Sequence, residues 1–384
     1  MKTLAPLLVL ALFSACKKDG RELPDADGDG IPDDEDSDFD TTLDDGTEGT
    51  DDIDDDTVDV TGPTGFVGSP CLSVSDCDYD GAVCLGADEG FPGGMCSLSC
   101  ERTCPDASGF PTTFCVGEND LPESPLSAGS CTSQCDFGTY PDDACRDGYG
   151  CVVTGRYNEP NTERFACLPN AASDLSQAIL DLAARDVPFT PTLREDQSPS
   201  THPNLNCHIE DPVMLNPPIH GVDVRYFDGS ATPNMLMSAE SAHALVDLID
   251  DVEPDGVDTV LHIGTYVCRV IGGTNSLSRH AYGDAIDIYG FEFTDGRRYT
   301  LVDDWVHTNN INSAPPSSNA GATFLWEAAH RWHDGGFWNI ILTPEFNSAH
   351  DNHFHIDMTP GASTLRSILG ADEMYYFGPA PYVD

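Results

Sequence analysis

The chain has 384 residues, with 17 Lys and Arg against 66 Asp and Glu, and a formal net charge of -49. Charge of that sign repels nucleic acid and anionic lipid headgroups, which excludes electrostatic binding to either. The length, and a composition that changes sharply along it, exclude one uniform core.

Met1-Lys2-Thr3 supplies a charged start and Leu4 to Phe13 an apolar run. That run is too short to span a bilayer and fits a secretory leader. It ends in Phe13-Ser14-Ala15-Cys16, a small-residue junction that resembles a bacterial lipobox, with Cys16 as the lipidated first residue of the mature protein. The alternative is ordinary cleavage with Cys16 incidental. Of the 15 cysteines, Cys16 stands alone, a dense group runs from Cys71 to Cys167, and Cys207 and Cys268 follow. Setting Cys16 aside leaves an even number in each later group, as an exported, oxidised protein requires. The expected location is the cell envelope, with the membrane touched through the lipid alone.

Residues 17–70 hold 20 Asp or Glu against Lys17, Lys18 and Arg21, with almost nothing apolar between. A segment so charged cannot bury enough surface to offset its ordering entropy, which predicts a solvated tether. Within it, Asp25, Asp27, Asp29, Asp33 and Asp36, with Gly30 at the sixth position, reproduce the oxygen spacing of a calcium loop. The stretch resembles a single thrombospondin type 3 repeat, and Ca2+ is the ion it would take.

Residues 71–170 are rich in Cys, Gly, Asp and Pro and poor in aliphatics. So small a core needs staples, which predicts six disulfides in preference to zinc sites, since no Cys-x2-Cys pairs occur. Cys96-x3-Cys100 recurs as Cys131-x3-Cys135, which suggests a duplicated unit. Connectivity is not readable from spacing, and the module suits a spacer, a wall-binding or a partner-binding role alike.

From Ser173 to the end the texture is that of a globular domain. Ser173-Asp174-Leu175 opens a helical pattern to Ala184, Ser238 caps a second helix to Val252, and Ala322 to Trp332 is a third. Thr259 to Val267, Ala285 to Phe293, Arg298 to Val302, Phe337 to Leu342 and His353 to Met358 read as strands, with Asp295-Gly296 turning a hairpin. Short turns between strands, with separate helices, predict an α+β domain with a mainly antiparallel sheet and flanking helices.

The chemistry lies in two clusters. His280 and Asp287 are seven apart, with Gly283 between them and Asp287 on a strand. His353 and His355 are two apart on another strand and so share a face. His280, Asp287 and His355 would give three metal ligands with a fourth position open, the pattern of a catalytic zinc site. Zinc acidifies water, and His353 is placed to take the proton, with His350 orienting the water or stabilising a tetrahedral intermediate. Trp326, Glu327, His330 and His333 form a further helical cluster, read as packing and surface.

Leu277 to Ile288, then Gly290-Phe291, Asp295-Gly296-Arg297 and Phe346 to Asp357, resemble the bacterial extensin-like C-terminal domain family over roughly residues 173–370. That family is related to D-alanyl-D-alanine carboxypeptidases and LAS-type murein peptidases, whose Ser-x-His-x6-Asp and His-x-His motifs bind zinc. The resemblance implies a D-Ala-D-Ala peptidase/hedgehog-like fold and zinc held by His280, Asp287 and His355, with His353 and His350 catalytic. It also implies that Arg269, in Gly264 to Arg269, grips a substrate carboxylate and that Cys207 bridges to Cys268. Ala328-Ala329-His330 departs from the family's Ala-Cys-Arg, which removes one family disulfide.

The domains expected are thus a leader ending at Cys16, the tether 17–70, the cysteine-rich module 71–170 and a peptidase-like domain 173–384. The expected function is a zinc peptidase acting on peptidoglycan peptides, of carboxypeptidase or endopeptidase type, with peptidoglycan or another envelope polymer as partner. The alternative is a non-catalytic, metal-containing wall- or matrix-binding lipoprotein.

Overall fold

The computed structural model describes residues 62–122, 126, 128–232, 235–308 and 313–366. Cys16 and the calcium-loop aspartates Asp25, Asp27, Asp29, Asp33 and Asp36 lie outside the described residues. No helix among the described residues is long and apolar enough to cross a membrane.

The cysteine-rich part consists of three successive units, where sequence suggested a duplication. The first carries β1 (Val83–Leu85) and β2 (Met95–Ser97). The second carries β3 (Ser99–Cys100), β4 (Thr113–Val116) and β5 (Gly129–Ser133), and the third β6 (Tyr149–Arg156) and β7 (Glu159–Pro169). In each unit two cysteines face each other across a hairpin: Cys84 and Cys96, Cys115 and Cys131, Cys151 and Cys167. Each of these bonds back to one of two earlier cysteines, as Cys71–Cys84 with Cys77–Cys96, Cys100–Cys115 with Cys104–Cys131, and Cys135–Cys151 with Cys145–Cys167. The first cysteine of every unit thus joins the third and the second joins the fourth. The recurring Cys-x3-Cys spacings are the junctions between units, which is why they suggested a repeat but miscounted it.

Residues 62–70, placed by charge at the end of the tether, pack onto this module. Val67 is buried against Cys100, Cys115 and Cys131, and the Phe66 ring meets those of Tyr79 and Phe110 at 5.2 and 5.1 Å. Half-buried Arg146 stacks on Tyr149 and donates to the carbonyls of Gly68 (3.0 Å), Pro92 (2.7 Å) and Gly94, which ties the third unit to the first. A guanidinium drawn partly out of water without partners would be costly, and these carbonyls satisfy it.

Nor is the module set apart from the globular part. Phe137 meets Phe189 at 4.9 Å within one continuous apolar core, and Ser173 and Asp174 bond β6. The helix therefore starts later than Ser173: α1 spans Gln177–Ala183, capped by the Ser176 hydroxyl, which accepts from Ile179 N.

Then follow β8 (Phe189–Pro191), β9 (Pro212–Leu215), β10 (Asp223–Tyr226), β11 (Met235–Ser238), α2 (Ala239–Val252), β12 (Val257–Gly264), β13 (Ala285–Phe293) and β14 (Arg298–Thr300). After these come α3 (Leu301–Asp304), α4 (Ala320–Asp334), β15 (Ile340–Leu342), β16 (Phe354–Asp357) and β17 (Thr364–Arg366). The architecture is α+β with mostly antiparallel sheets. The larger sheet runs β10-β12-β13-β16-β15-β17, with β14 beside the far half of β13; β8, β9 and β11 form a second, three-stranded sheet. Two pairings, β10 with β12 and β15 with β17, are parallel.

Ser238 caps α2 through Ser241 N, and the helix buries Ala242, Leu245, Val246, Ile249 and Val252, the spacing of a core-facing stripe. Helix α4 buries Leu325, Ala328, Ala329 and Trp332, and Trp332 meets Phe291 and Phe354 of the large sheet at 5.9 and 6.0 Å. Ala328 and Ala329 are thus core residues, while Trp326 stacks on His330 at 4.1 Å on the helix flank.

Several strands end short of their apolar runs. The run to Val267 stops at Gly264, because Thr265 and Val267 turn away to bond the His280 turn. Val302 belongs to α3, which Thr300 caps by accepting from Asp303 N. Phe337 closes the end of α4 by donating to the Trp332 carbonyl, which leaves only Ile340–Leu342 extended.

Candidate metal centre

His280 sits in a short 3-10 turn, Arg279–Tyr282, ended by Gly283 at φ 67°. A Cβ at Gly283 would lie 2.9 Å from Ser238 N, so both the left-handed backbone and the close approach require glycine. The turn is pinned from outside: Arg279 pairs with Asp284, whose Oδ1 accepts from the Ser238 hydroxyl at 2.8 Å. Asp287 follows on β13, and His355 is its direct partner on β16.

The three side chains converge. His280 Nε2 lies 3.1 Å from Asp287 Oδ1 and 3.2 Å from His355 Nδ1, and His355 Nδ1 lies 2.8 Å from Asp287 Oδ1. Ligands held about 2.0–2.2 Å from a tetrahedral ion are about 3.3–3.6 Å apart, so a small outward shift accommodates a zinc-sized ion. The outward faces are already committed. His280 Nδ1 donates to the Thr265 carbonyl, and His355 Nε2 donates to Asp357 Oδ2 at 3.1 Å. These bonds leave His280 Nε2, His355 Nδ1 and a carboxylate oxygen facing one point, a set of acceptors that demands a cation. Without a metal, that cation is a proton on His355. Burial would lower the His355 pKa, but hydrogen bonds to Asp287 and Asp357 raise it to about 9. Burial would likewise raise Asp287, yet bonds from His280 and His355 hold it well below the usual carboxylate range.

His353 stands just before β16. Its Nδ1 donates to Asn352 Oδ1 at 2.8 Å, so its Nε2 is the acceptor and lies 3.5 Å from Asp287 Oδ1. His350, in the turn Ser348–His350, donates from Nδ1 to Asn347 Oδ1 at 2.8 Å, with its ring 5.2 Å from that of His353 and 5.9 Å from that of His355. Burial, aided by neighbouring positive charge, pushes His350 down to about 4 and His353 below its ordinary value. Both are neutral at physiological pH.

Arg269 lies on the loop after β12, which the Cys207–Cys268 disulfide clamps. It lines a cleft of about 600 Å³ together with His280 and Asp287. The same cleft brings in Arg194 and Tyr226, which sequence reasoning did not single out. Asp357 was also missed as a functional residue, although its position two residues after His355 on one strand carried the signal.

Residues 185–366 match the family model described as Extensin-like protein C-terminus. The whole centre lies inside this extensin-like domain, and the cysteine-rich units lie outside it. Comparison with curated proteins and with solved structures gives no match.

Proposed function

We propose that the protein is a zinc-dependent peptidase of the bacterial cell envelope, exported and held by lipid at Cys16, that cleaves peptidoglycan peptides as a D,D-carboxypeptidase or endopeptidase. The fold of the extensin-like domain is, in this reading, that of the D-Ala-D-Ala peptidases. The observation that carries the proposal is the pairing of the convergent His280, Asp287 and His355 with a neighbouring imidazole, His353, whose acceptor nitrogen is uncommitted. A site that only holds metal has no use for such a base.

Zinc bound there supplies Lewis acidity to a peptide carbonyl and to attacking water. The chain's own residues do the rest. Thr265 and Asp357 hold the two ligand imidazoles in the tautomers that present Nε2 of His280 and Nδ1 of His355 inward. Asn352 fixes His353 so that Nε2 takes the proton from water and returns it to the leaving amine. His350, kept neutral with its Nδ1 proton committed to Asn347 Oδ1, presents Nε2 as an acceptor beside His353 and can orient the attacking water. Arg269 holds a substrate carboxylate at the mouth.

The test is digestion of purified peptidoglycan by the zinc-loaded full chain beside His353→Ala. New muropeptide termini are expected from the wild type, with a loss of about 10²- to 10⁴-fold in the variant at unchanged zinc content. A wild type that holds zinc and releases no termini overturns the peptidase reading in favour of a wall-binding one.

A further inference from the structure

Arginines in this chain are scarce and carboxylates abundant, so an arginine without a partner stands out. Arg102, Arg156, Arg185, Arg225, Arg279, Arg297, Arg298 and Arg331 all pair with Asp or Glu. Arg146 and Arg164 donate to backbone carbonyls. Among the described residues, Arg194 and Arg269 make neither an ion pair nor a side-chain hydrogen bond, and both line the cleft that holds His280 and Asp287. They come from remote parts of the chain: Arg194 from the loop after β8, Arg269 from the clamped loop after β12. Arg194 lies over the Tyr266 ring, 5.2 Å from its centroid, which orients the guanidinium without satisfying its N–H donors. Carboxylates could have been placed beside either arginine, as they are beside the others, but a fork kept free at a cleft mouth retains its full capacity for an anion.

We propose that Arg194 is a specificity-determining residue that acts with Arg269 as a two-point clamp. The ligand class is a peptide carrying two carboxylates, one for each guanidinium, that flank the bond presented to His280 and Asp287. This rests on the peptidase reading and narrows it. A neutral peptide, or one with a single carboxylate, leaves one fork unmatched and is discriminated against. Met214 and Tyr226, which also line the cleft, give the peptide's uncharged part an apolar wall.

The experiment uses the zinc-loaded full chain and two fluorescent probes: a labelled Glu-Ala-Ala peptide with a free C terminus, which carries two carboxylates, and the labelled Gln-Ala-Ala amide, which carries none. Binding is read by anisotropy for the wild type, Arg194→Gln, Arg269→Gln, the double variant and Arg297→Gln, a charge loss at the exposed hairpin tip. The diacid is expected to bind the wild type at least about tenfold more tightly than the amide. Arg194→Gln and Arg269→Gln each lower diacid affinity about tenfold and leave amide affinity unchanged, the double variant loses the preference, and Arg297→Gln keeps it. Full preference in Arg194→Gln, or no preference in the wild type, overturns the clamp. The two readings fail separately. Preference that depends on Arg194 without any peptidoglycan hydrolysis removes the peptidase and keeps the clamp, whereas hydrolysis without that preference does the reverse.

Discussion

Asp287 and His355 are direct partners across the β13–β16 ladder, and their side chains meet with His355 Nδ1 2.8 Å from Asp287 Oδ1. The ladder therefore sets the ligand geometry, and side-chain flexibility contributes little. A slip of either strand by one residue would turn its own ligand to the opposite face of the sheet and part the two groups. The same pleat carries Asp357, two residues beyond His355, to the back of the imidazole.

Removing that support should be felt at the metal. Asp357→Asn keeps the shape but weakens the bond that fixes the His355 tautomer. Zinc affinity is expected to fall about 10- to 100-fold, measured by competition with a chelator. An unchanged affinity would mean that Asp357 does not orient His355.

Gly283→Ala places a methyl group where the chain turns left-handed and approaches Ser238 N to 2.9 Å. The backbone conformation alone costs about 1–2 kcal/mol, and the close approach adds to it. Urea unfolding should show the loss, and zinc content should drop with it, because the turn that displaces is the one carrying His280.

The Cys207–Cys268 bridge closes a loop with a sequence separation of 61. Chain entropy puts its contribution at about 4 kcal/mol, so the double variant Cys207→Ser with Cys268→Ser is expected to unfold at a clearly lower denaturant midpoint. Its zinc affinity should fall as well, since the freed loop supplies the Thr265 carbonyl that accepts the hydrogen bond from His280 Nδ1. Unchanged affinity in the folded variant would detach the disulfide from the centre.

Buried His262, stacked on Tyr226 at 4.9 Å and bonded to Thr232 Oγ1 at 2.7 Å, has its pKa pushed by burial down to about 4. The unfolded chain, with an ordinary value near 6.5, binds the proton first. Stability from this group is therefore complete above pH 6.5 and declines as the pH falls toward 4, by about 3 kcal/mol. His262→Gln should flatten that part of the stability profile, measured by urea unfolding between pH 7 and pH 4.5. An identical acid slope in the variant would rule out His262 as its source.

What could be read from sequence followed local chemistry. Helix α2 was legible to within a residue because Ser238 caps a regular apolar stripe, and the His280, Asp287 and His355 set because motif spacing and strand periodicity are local properties. Strands β8 to β11 were not legible, since three- and four-residue strands with prolines and polar residues have no distinctive period and acquire their pairing only from neighbours. Arg194 was invisible for a related reason: it is an ordinary surface residue by every local measure, and only the fold brings it to the cleft that Arg269 also lines. The third cysteine unit was hidden because the repeated spacing marks the joints between units.

That arrangement also bears on how the chain matures. Every disulfide in the cysteine-rich part closes inside its own unit, over separations of 13 to 27 residues. No bond has to wait for a cysteine from a later unit, so oxidation can follow the order in which the chain is delivered, and a mispairing in one unit need not propagate to the next. The module is a row of separately locked joints, none of which needs the strands that build the metal centre in order to close.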